Sequence, residues 1–148
     1  MSLKEKINSD LKDAMKSQDK IRLSTIRSIR ALILEYEKSG ADKELTPEDE
    51  IKMLSTAAKK RRESIEQFEI GGRTELAEKE KQELEIIQQY LPQQLTEEEI
   101  LNKVKEIAVQ IGASSKADFG KLMPMVIKEL KGQADGNTIR KFVEQVLS

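Results

Sequence analysis

The side chains that could carry chemistry in this sequence are lysine, arginine and the carboxylates, because its 148 residues include no histidine and no cysteine. This absence excludes disulfides, thiolate nucleophiles, Cys/His zinc sites and Ser-His-Asp triads. The sequence therefore predicts no catalytic residue, no metal site and no cofactor. Its 26 basic and 27 acidic residues nearly cancel, so a site for an anionic ligand must be a local face rather than a global charge.

A group of cationic residues near the C-terminus is the strongest candidate for such a face. Lys121, Lys128 and Lys131 fall within about 80° of arc on a predicted helix, opposite its apolar stripe. Arg140 and Lys141 on the next predicted helix can extend the same face. Five cations placed in this way predict a surface that follows the phosphates of RNA. A lysine-rich face that is simply solvated is the alternative.

The loop between these two predicted helices could add to the anion site. It begins at Gly132, ends at Gly136 and precedes a helix N-terminus. The unpaired N–H groups of such a terminus favour anions. The competing interpretation is that Asp135 caps the helix and already occupies those donors.

The aromatic and sulfur-containing residues of this region bear on how RNA would bind. Phe119 and Phe142 lie on predicted core stripes, so no exposed stacking platform is expected. Met123 and Met125, beside Pro124, are interpreted as gap-filling core residues rather than as a partner groove. RNA recognition would then depend on phosphates and duplex shape.

A second cationic cluster is the run Lys59–Arg62, of which Arg61 alone falls on an apolar stripe. Folding the predicted helical hairpin about Gly72 brings Arg61 level with Glu83, or with Glu80 one turn away. We predict an interhelical ion pair of Arg61 and Glu83 that sets the hairpin register. A catalytic Glu–Arg site is the alternative, although no nucleophile or metal ligand lies nearby in the sequence. The rest of the run is interpreted as a solvated face with i,i+4 ion pairs. Phosphate binding is the alternative, in which this basic helix assists the C-terminal face.

The elements that position these residues are all predicted to be helices. Thr46 and Pro47 start a long helix, the pair Gly71-Gly72 ends it, and a second helix runs to Pro92. Two further helices precede this hairpin, and a polar loop at 41–45 joins them to it. The fold class is therefore all-α, with an N-terminal four-helix domain, 1–92, built on the long hairpin.

A smaller domain is predicted to follow at 96–148. Pro92 stops the preceding helix, and Thr96 with Glu99 forms a capping box that starts a new one. Three short helices fill this C-terminal domain. Pro124 lies inside the middle helix, where it should either bend the helix or mark its first turn.

Localisation is inferred from two absences in the sequence. No apolar run approaches the roughly 18 residues of a membrane span. The N-terminal residues, MSLKEKINSDLK, lack the apolar core of a signal peptide. A cytoplasmic protein without membrane contact is the expectation.

Two stretches of the sequence resemble known families. The residues from 59 to 100, KKRRESIEQFEIGGRTELAEKEKQELEIIQQYLPQQLTEEEI, resemble the signature of the YqeY family of the GatB/YqeY group. Those from 117 to 147, ADFGKLMPMVIKELKGQADGNTIRKFVEQVL, are similar to the tail domain of the GatB subunit of glutamine-dependent aminoacyl-tRNA amidotransferases. The resemblance implies an all-helical, two-domain protein with a tRNA-associated role. It supplies no catalytic residue, since the amidotransferase's catalytic body and its ammonia-releasing partner have no counterpart here.

Three hypotheses of function follow. The first is an accessory protein that binds tRNA or another structured RNA and has no catalytic chemistry of its own. The second is a subunit or adaptor of an amidotransferase-like, carbon–nitrogen ligase assembly, in which the hairpin contacts a protein partner. The third is an interaction module with no nucleic-acid role.

Overall fold

The protein was analysed as a computed structural model, which describes residues 2–40 and 44–148. Seven α-helices and one 3-10 turn, with no strand, make up the secondary structure of this described part, so the all-α prediction is confirmed. The helices of the first half are α1 (Leu3–Ser17), α2 (Lys20–Lys38), α3 (Pro47–Ile70) and α4 (Thr74–Gln88). Those of the second half are α5 (Glu97–Ile111), α6 (Phe119–Glu129) and α7 (Gly136–Val146), with the 3-10 turn at Lys116–Asp118 before α6.

The chain divides into two compact units, Met1–Leu91 and Pro92–Ser148. The first contains the predicted four helices and the second the predicted three. Whether the ranges 1–92 and 96–148 fold independently stays a prediction.

The loop predicted at 41–45 lies partly outside the described residues, which omit 41–43. Within the described helices, none is long and apolar enough to cross a membrane.

Local capping explains where α3 begins. The Thr46 hydroxyl accepts from the Asp49 backbone N–H, the Asp49 carboxylate accepts from the Thr46 backbone N–H, and Pro47 occupies the first turn. This capping box satisfies backbone donors that the first turn would otherwise leave unpaired. At the other end of α3, Gly72 adopts φ +71° and reverses the chain into α4, a conformation that suits glycine because it has no Cβ.

The core of unit 1 lies at one end of the α3–α4 hairpin. Its buried residues come from all four helices and the segment after α4: Leu3, Ile7, Ala14, Ile26, Ile29, Ile33, Leu54, Ala57, Ala58, Ile87 and Leu91. No described residue between 59 and 83 belongs to this core. That distal part of the hairpin is held by the buried Ala77 and by ion pairs between the two helices, such as Lys81 Nζ–Glu69 Oε1 at 3.1 Å.

The core of unit 2 is formed by the inward faces of α5, α6 and α7. Its buried members are Ile100, Val104, Ile107, Ala108, Leu122, Val126, Leu130, Ile139, Phe142, Val143 and Leu147. The segment before α5 is tied to the loop after α6, because Gln94 Nε2 donates to the Gly132 carbonyl at 2.6 Å. The Leu95 N–H likewise donates to the Gln133 carbonyl at 2.9 Å. These two bonds hold the loop between α6 and α7 against the start of the unit.

The structure shows where Pro124 lies in α6 and corrects the prediction for Met125. Pro124 is the sixth residue of the helix, inside it rather than in its first turn. Met125 is 48% exposed, so its interpretation as a core residue is wrong. The buried stripe of α6 follows Leu122 and Val126, and Met125 lies about 100° from Val126 around the helix. Met123 is half-buried against the unit 2 core.

Candidate nucleic-acid interface

The cationic face predicted from the sequence comprises Lys121, Lys128, Lys131, Arg140 and Lys141, and all five are exposed in unit 2. Burial of the opposite stripe of α6 in the core turns its lysines to solvent. Lys121 and Lys128 are seven residues apart, which places them about 20° apart around α6 and about 10 Å apart along it. The single acidic side chain of α6, that of Glu129, lies about 80° from Lys121.

Lys131 stands beyond the end of the helix on which the sequence analysis places it. α6 ends at Glu129 and Leu130 is its C-cap, so Lys131 lies in the following turn. It nevertheless lines the same groove as Lys128. The structure therefore brings these two lysines together by a turn rather than by helical periodicity alone.

The two cations of α7 are engaged with neighbouring side chains. Arg140 Nε lies 3.1 Å from Glu144 Oε1, and its guanidinium lies 5.9 Å from the centre of the Phe119 ring. The Lys141 ammonium lies 5.4 Å from the centre of the Phe142 ring. Arg140 and Lys141 are exposed, so the ion pair and the two ring contacts compete only weakly with a phosphate for these cations.

The glycine loop between α6 and α7 contributes to the fold of unit 2. The Gly132 carbonyl accepts from Gln94, so part of this loop serves the fold of unit 2. α7 begins at Gly136, which is exposed. Asp135 occupies the N-cap position but its side chain makes no capping hydrogen bond, contrary to the competing interpretation from the sequence.

An apolar groove lies beside the lysines of α6, and the sequence analysis does not anticipate it. Its walls are Phe119, Gly120, Met123, Pro124 and Ile127, with Lys128 and Lys131 at one side, and its volume is about 590 Å³. We call this feature the α6 groove. The sequence does contain a signal for it, because α6 carries apolar residues around more of its circumference than one buried stripe requires. The prediction that Met123 and Met125 are both core residues leaves fewer apolar side chains of α6 to line a groove.

An ionised carboxylate closes the N-terminal end of this region. Asp118 accepts hydrogen bonds from the backbone N–H groups of Ser114 and Ser115 at 2.9 and 3.1 Å. These two bonds lower the pKa of the Asp118 carboxyl, and nearby Lys121 adds to the effect. The carboxylate therefore stays charged and bound to the turn that starts α6, next to Lys121.

The predicted ion pair of the hairpin has a definite geometry in unit 1. Arg61 Nε lies 3.0 Å from Glu83 Oε2 and 3.4 Å from Glu80 Oε2. The side chains of Arg61 and Glu83 are 23% and 11% exposed. Arg61 Nε has no partner that meets hydrogen-bond geometry, so the contact is one of charges rather than a directed bond. Its role in setting the register stays a prediction.

The second carboxylate beside Arg61 has a perturbed protonation equilibrium. Burial raises the pKa of Glu80, and the neighbouring Glu83 raises it further, while Arg61 opposes both. Two carboxylates facing one guanidinium cannot both be fully compensated, so one of them holds its proton more strongly. Arg61 also lines a groove of about 490 Å³ between α2 and α3, next to Lys52 and Lys60.

No group of three or more potential metal ligands was found among the described residues, and the whole sequence lacks histidine and cysteine. Arg61, Glu80 and Glu83 lie close together, but one guanidinium does not compensate both carboxylates. The fold defines an all-helical protein of two units, with exposed lysines on and just after α6 in its smaller unit.

Comparison with known proteins identifies the family. A family model described as "Yqey-like protein" matches residues 4–147, and the chain belongs to this family. A protein of Pyrenophora tritici-repentis is 32% identical, with 96% of this chain and 79% of the relative aligned. One of Candida glabrata is 30% identical over 91% of this chain and 72% of the relative. One of Lachancea thermotolerans is 33% identical over 74% and 59%, respectively.

The names of these relatives correct the predicted localisation. All three are named "Altered inheritance of mitochondria protein 41, mitochondrial", which overturns the expectation of a cytoplasmic protein. That expectation was based on the lack of an apolar signal segment and of a membrane span. Mitochondrial targeting segments are amphipathic rather than apolar, so neither absence bears on this compartment.

Proposed function

We propose that this protein is an RNA-binding accessory protein whose ligand is tRNA or another structured RNA. The observation that carries the proposal is the cationic face of unit 2. There, Lys121 and Lys128 share one side of α6, Lys131 continues that side, and Arg140 and Lys141 are exposed on α7. A cationic face on a chain with a net charge of -1 concentrates positive potential where phosphates can approach.

Binding at this face would be driven by neutralisation of phosphates. Each phosphate contacted by a lysine or arginine releases condensed counterions, so the affinity falls as salt rises. The protein would hold the RNA without reacting with it, because its lysines and arginines would contact the phosphates as cations and the sequence supplies no histidine or cysteine. Any carbon–nitrogen ligase chemistry would have to come from another subunit.

Fluorescence anisotropy of labelled tRNA at several salt concentrations tests the proposal. The test variant is the triple substitution Lys121→Gln/Lys128→Gln/Lys131→Gln, which removes three charges from the face. We expect the slope of log affinity against log salt to become shallower by about two to three units, because each phosphate that is no longer neutralised reduces the slope by about 0.7 to 0.9.

A matched control removes three exposed lysines from unit 1, as Lys12→Gln/Lys16→Gln/Lys20→Gln. This control changes the net charge by the same amount but leaves the cationic face intact, so the salt slope should stay close to that of the wild type. Equal losses of affinity in the two triple variants would show that binding follows net charge and not this face. Lack of binding by the wild type at low salt would refute the proposal.

A second candidate function is supported by the distal part of the hairpin. Residues 59–83 add nothing to the core of unit 1, and Ile70 beside the turn is 74% exposed. A protein partner, such as a subunit of an amidotransferase-like assembly, could contact this part. Copurification with such a subunit that Ile70→Asp abolishes, with tRNA binding unchanged, would support the adaptor role.

A further inference from the structure

The α6 groove is not explained by contacts with RNA phosphates alone. Its walls are apolar, and Ile127 is 45% exposed. Exposed aliphatic side chains that occur singly are ordinary on protein surfaces. Here Met123, Pro124 and Ile127 instead form one continuous stripe at i, i+1 and i+4, with Phe119 at one end.

The backbone at one wall of the groove supplies a hydrogen-bond acceptor. Pro124 has no N–H, so the Gly120 carbonyl loses the donor that a helix normally provides four residues later. Gly120 has no side chain, and nothing lies within 4 Å of the position that a Cβ would occupy there. A ligand in the groove can therefore come close to the backbone of Gly120.

The charges around the groove are unequally distributed. Lys128 and Lys131 line one side of it, and Lys121 continues this row towards the N-terminus of α6. At the opposite side, Phe119 and Met123 lead into the unit 2 core. Of the residues that line the groove, Lys128 and Lys131 alone are charged, and a further cation is Arg140, whose guanidinium lies 5.9 Å from the Phe119 ring at the far end of the apolar stripe.

A nucleotide matches this asymmetry. Its base has an apolar face and N–H donors at its edge, and its phosphate lies to one side of the base. We infer that the α6 groove holds one unpaired nucleotide of the bound RNA. The base lies against Pro124 and Ile127, and the flanking phosphates face the lysine row. This inference rests on the proposed RNA-binding function and names the part of the RNA that is recognised.

The test compares two labelled RNA hairpins with the same number of nucleotides. Both hairpins have the same compact tetraloop, so that loop contacts are common to the two; one stem is paired to a blunt end, and the other exchanges its last two base pairs for a four-nucleotide single-stranded 3′ extension. Because both probes carry the same number of phosphates, the comparison separates base contacts from charge. The wild-type protein should bind the extended hairpin about tenfold more tightly, because one base removes its apolar face from water against Pro124 and Ile127.

Two variants examine whether the preference comes from the groove. Ile127→Ser removes an apolar wall, and Pro124→Ala restores an N–H donor to the Gly120 carbonyl. Each should reduce the preference for the extended hairpin to threefold or less. The matched control is Val109→Ser on α5, which removes an 81% exposed aliphatic side chain outside the groove and should leave the preference at about tenfold. Circular dichroism should give wild-type helicity for all three.

The outcomes separate the inference from the proposed function. Salt-dependent binding of both hairpins with equal affinity would overturn the nucleotide site and leave the RNA-binding function standing. Failure to bind either hairpin, or tRNA, at low salt would overturn both. Binding of an acidic amphipathic peptide that Ile127→Ser weakens, in the absence of RNA binding, would identify the groove as a protein-docking site instead.

Discussion

At the scale of single residues, the charged side chains discussed above fall into two groups that differ in their exposure to solvent. Arg61, Glu80 and Glu83 lie between two helices and are close to one another, whereas Lys121 and Lys128 are exposed. A half-buried charge needs a nearby opposite charge because its desolvation costs free energy. An exposed lysine has no such need and can exchange water for a phosphate. We therefore expect the first group to contribute to the hairpin and the second to be available to a ligand.

Charge reversal at the hairpin tests the role of its ion pair. Arg61→Glu should lower the free energy of unfolding by about 2 kcal/mol or more, because three carboxylates would then face one another in a partly buried site. Glu83→Arg combined with Arg61→Glu should recover at least about 0.5 kcal/mol of the summed losses in stability. Urea denaturation of the four proteins in the cycle measures this coupling.

The neighbouring substitution Lys60→Glu serves as the control for this cycle. Lys60 is exposed, so its reversal should change the free energy of unfolding by no more than about 0.5 kcal/mol. If the two changes at residues 61 and 83 were strictly additive, the predicted pair would not contribute to the hairpin.

At the scale of elements, local signals bound several of the helices, and buried stripes orient them. The Thr46–Asp49 and Thr96–Glu99 capping boxes start α3 and α5. Gly72, with φ +71°, turns α3 back along α4. This reversal brings Arg61 beside Glu83, so the geometry of one turn determines which charges from two different helices meet.

The two glycines of this turn provide a matched pair for measuring the effect of the turn. Gly72→Ala should cost about 1 kcal/mol in free energy of unfolding, since a left-handed φ is unfavourable for a residue with a Cβ. An added Cβ at this position would contact nothing within 4 Å, so the cost would be conformational and not steric.

Gly71→Ala is the comparison, because Gly71 has φ -79° and an added Cβ would lie 3.4 Å from the Gln67 carbonyl oxygen. Its cost in free energy of unfolding should be smaller than that of Gly72→Ala by at least about 0.5 kcal/mol. Thermal unfolding followed by circular dichroism measures both. The reverse order would show that the turn does not depend on a left-handed residue at position 72.

At the scale of the whole molecule, the chain has two units, each with its own core. Unit 1 has its own core and extends the hairpin away from that core. Unit 2 has a second core and carries the cationic face and the α6 groove. The proposed functions follow the same division, with RNA on unit 2 and any protein partner on the hairpin.

Residues 92–148 produced alone should fold into three helices with a cooperative thermal transition. The physical basis is a separate core whose buried side chains come only from this segment, although a domain of this size retains only a few kcal/mol of stability. Circular dichroism of the isolated segment and of its Leu122→Ala variant measures this. The variant should lose about 2 to 4 kcal/mol, and a gradual, non-cooperative melt of the unsubstituted segment would contradict the predicted domain.

The sequence by itself determined the helices, their number and most of their ends. These depend on local interactions such as the capping boxes at Thr46 and Thr96, the glycines at 71 and 72, and the spacing of apolar residues. The same local information placed Arg61 on a buried stripe and Lys121 with Lys128 on an exposed one. It also identified the family through residues 59–100.

Only the tertiary structure decided which apolar residues remain uncovered. α6 carries more apolar side chains than α5 and α7 can cover, and helical periodicity does not say which of them face a neighbour. The prediction for Met125 is wrong for this reason, and the groove along Met123, Pro124 and Ile127 is not anticipated by the sequence pattern. Burial depends on how distant segments pack against a helix, whereas capping and periodicity act within a few residues of the chain.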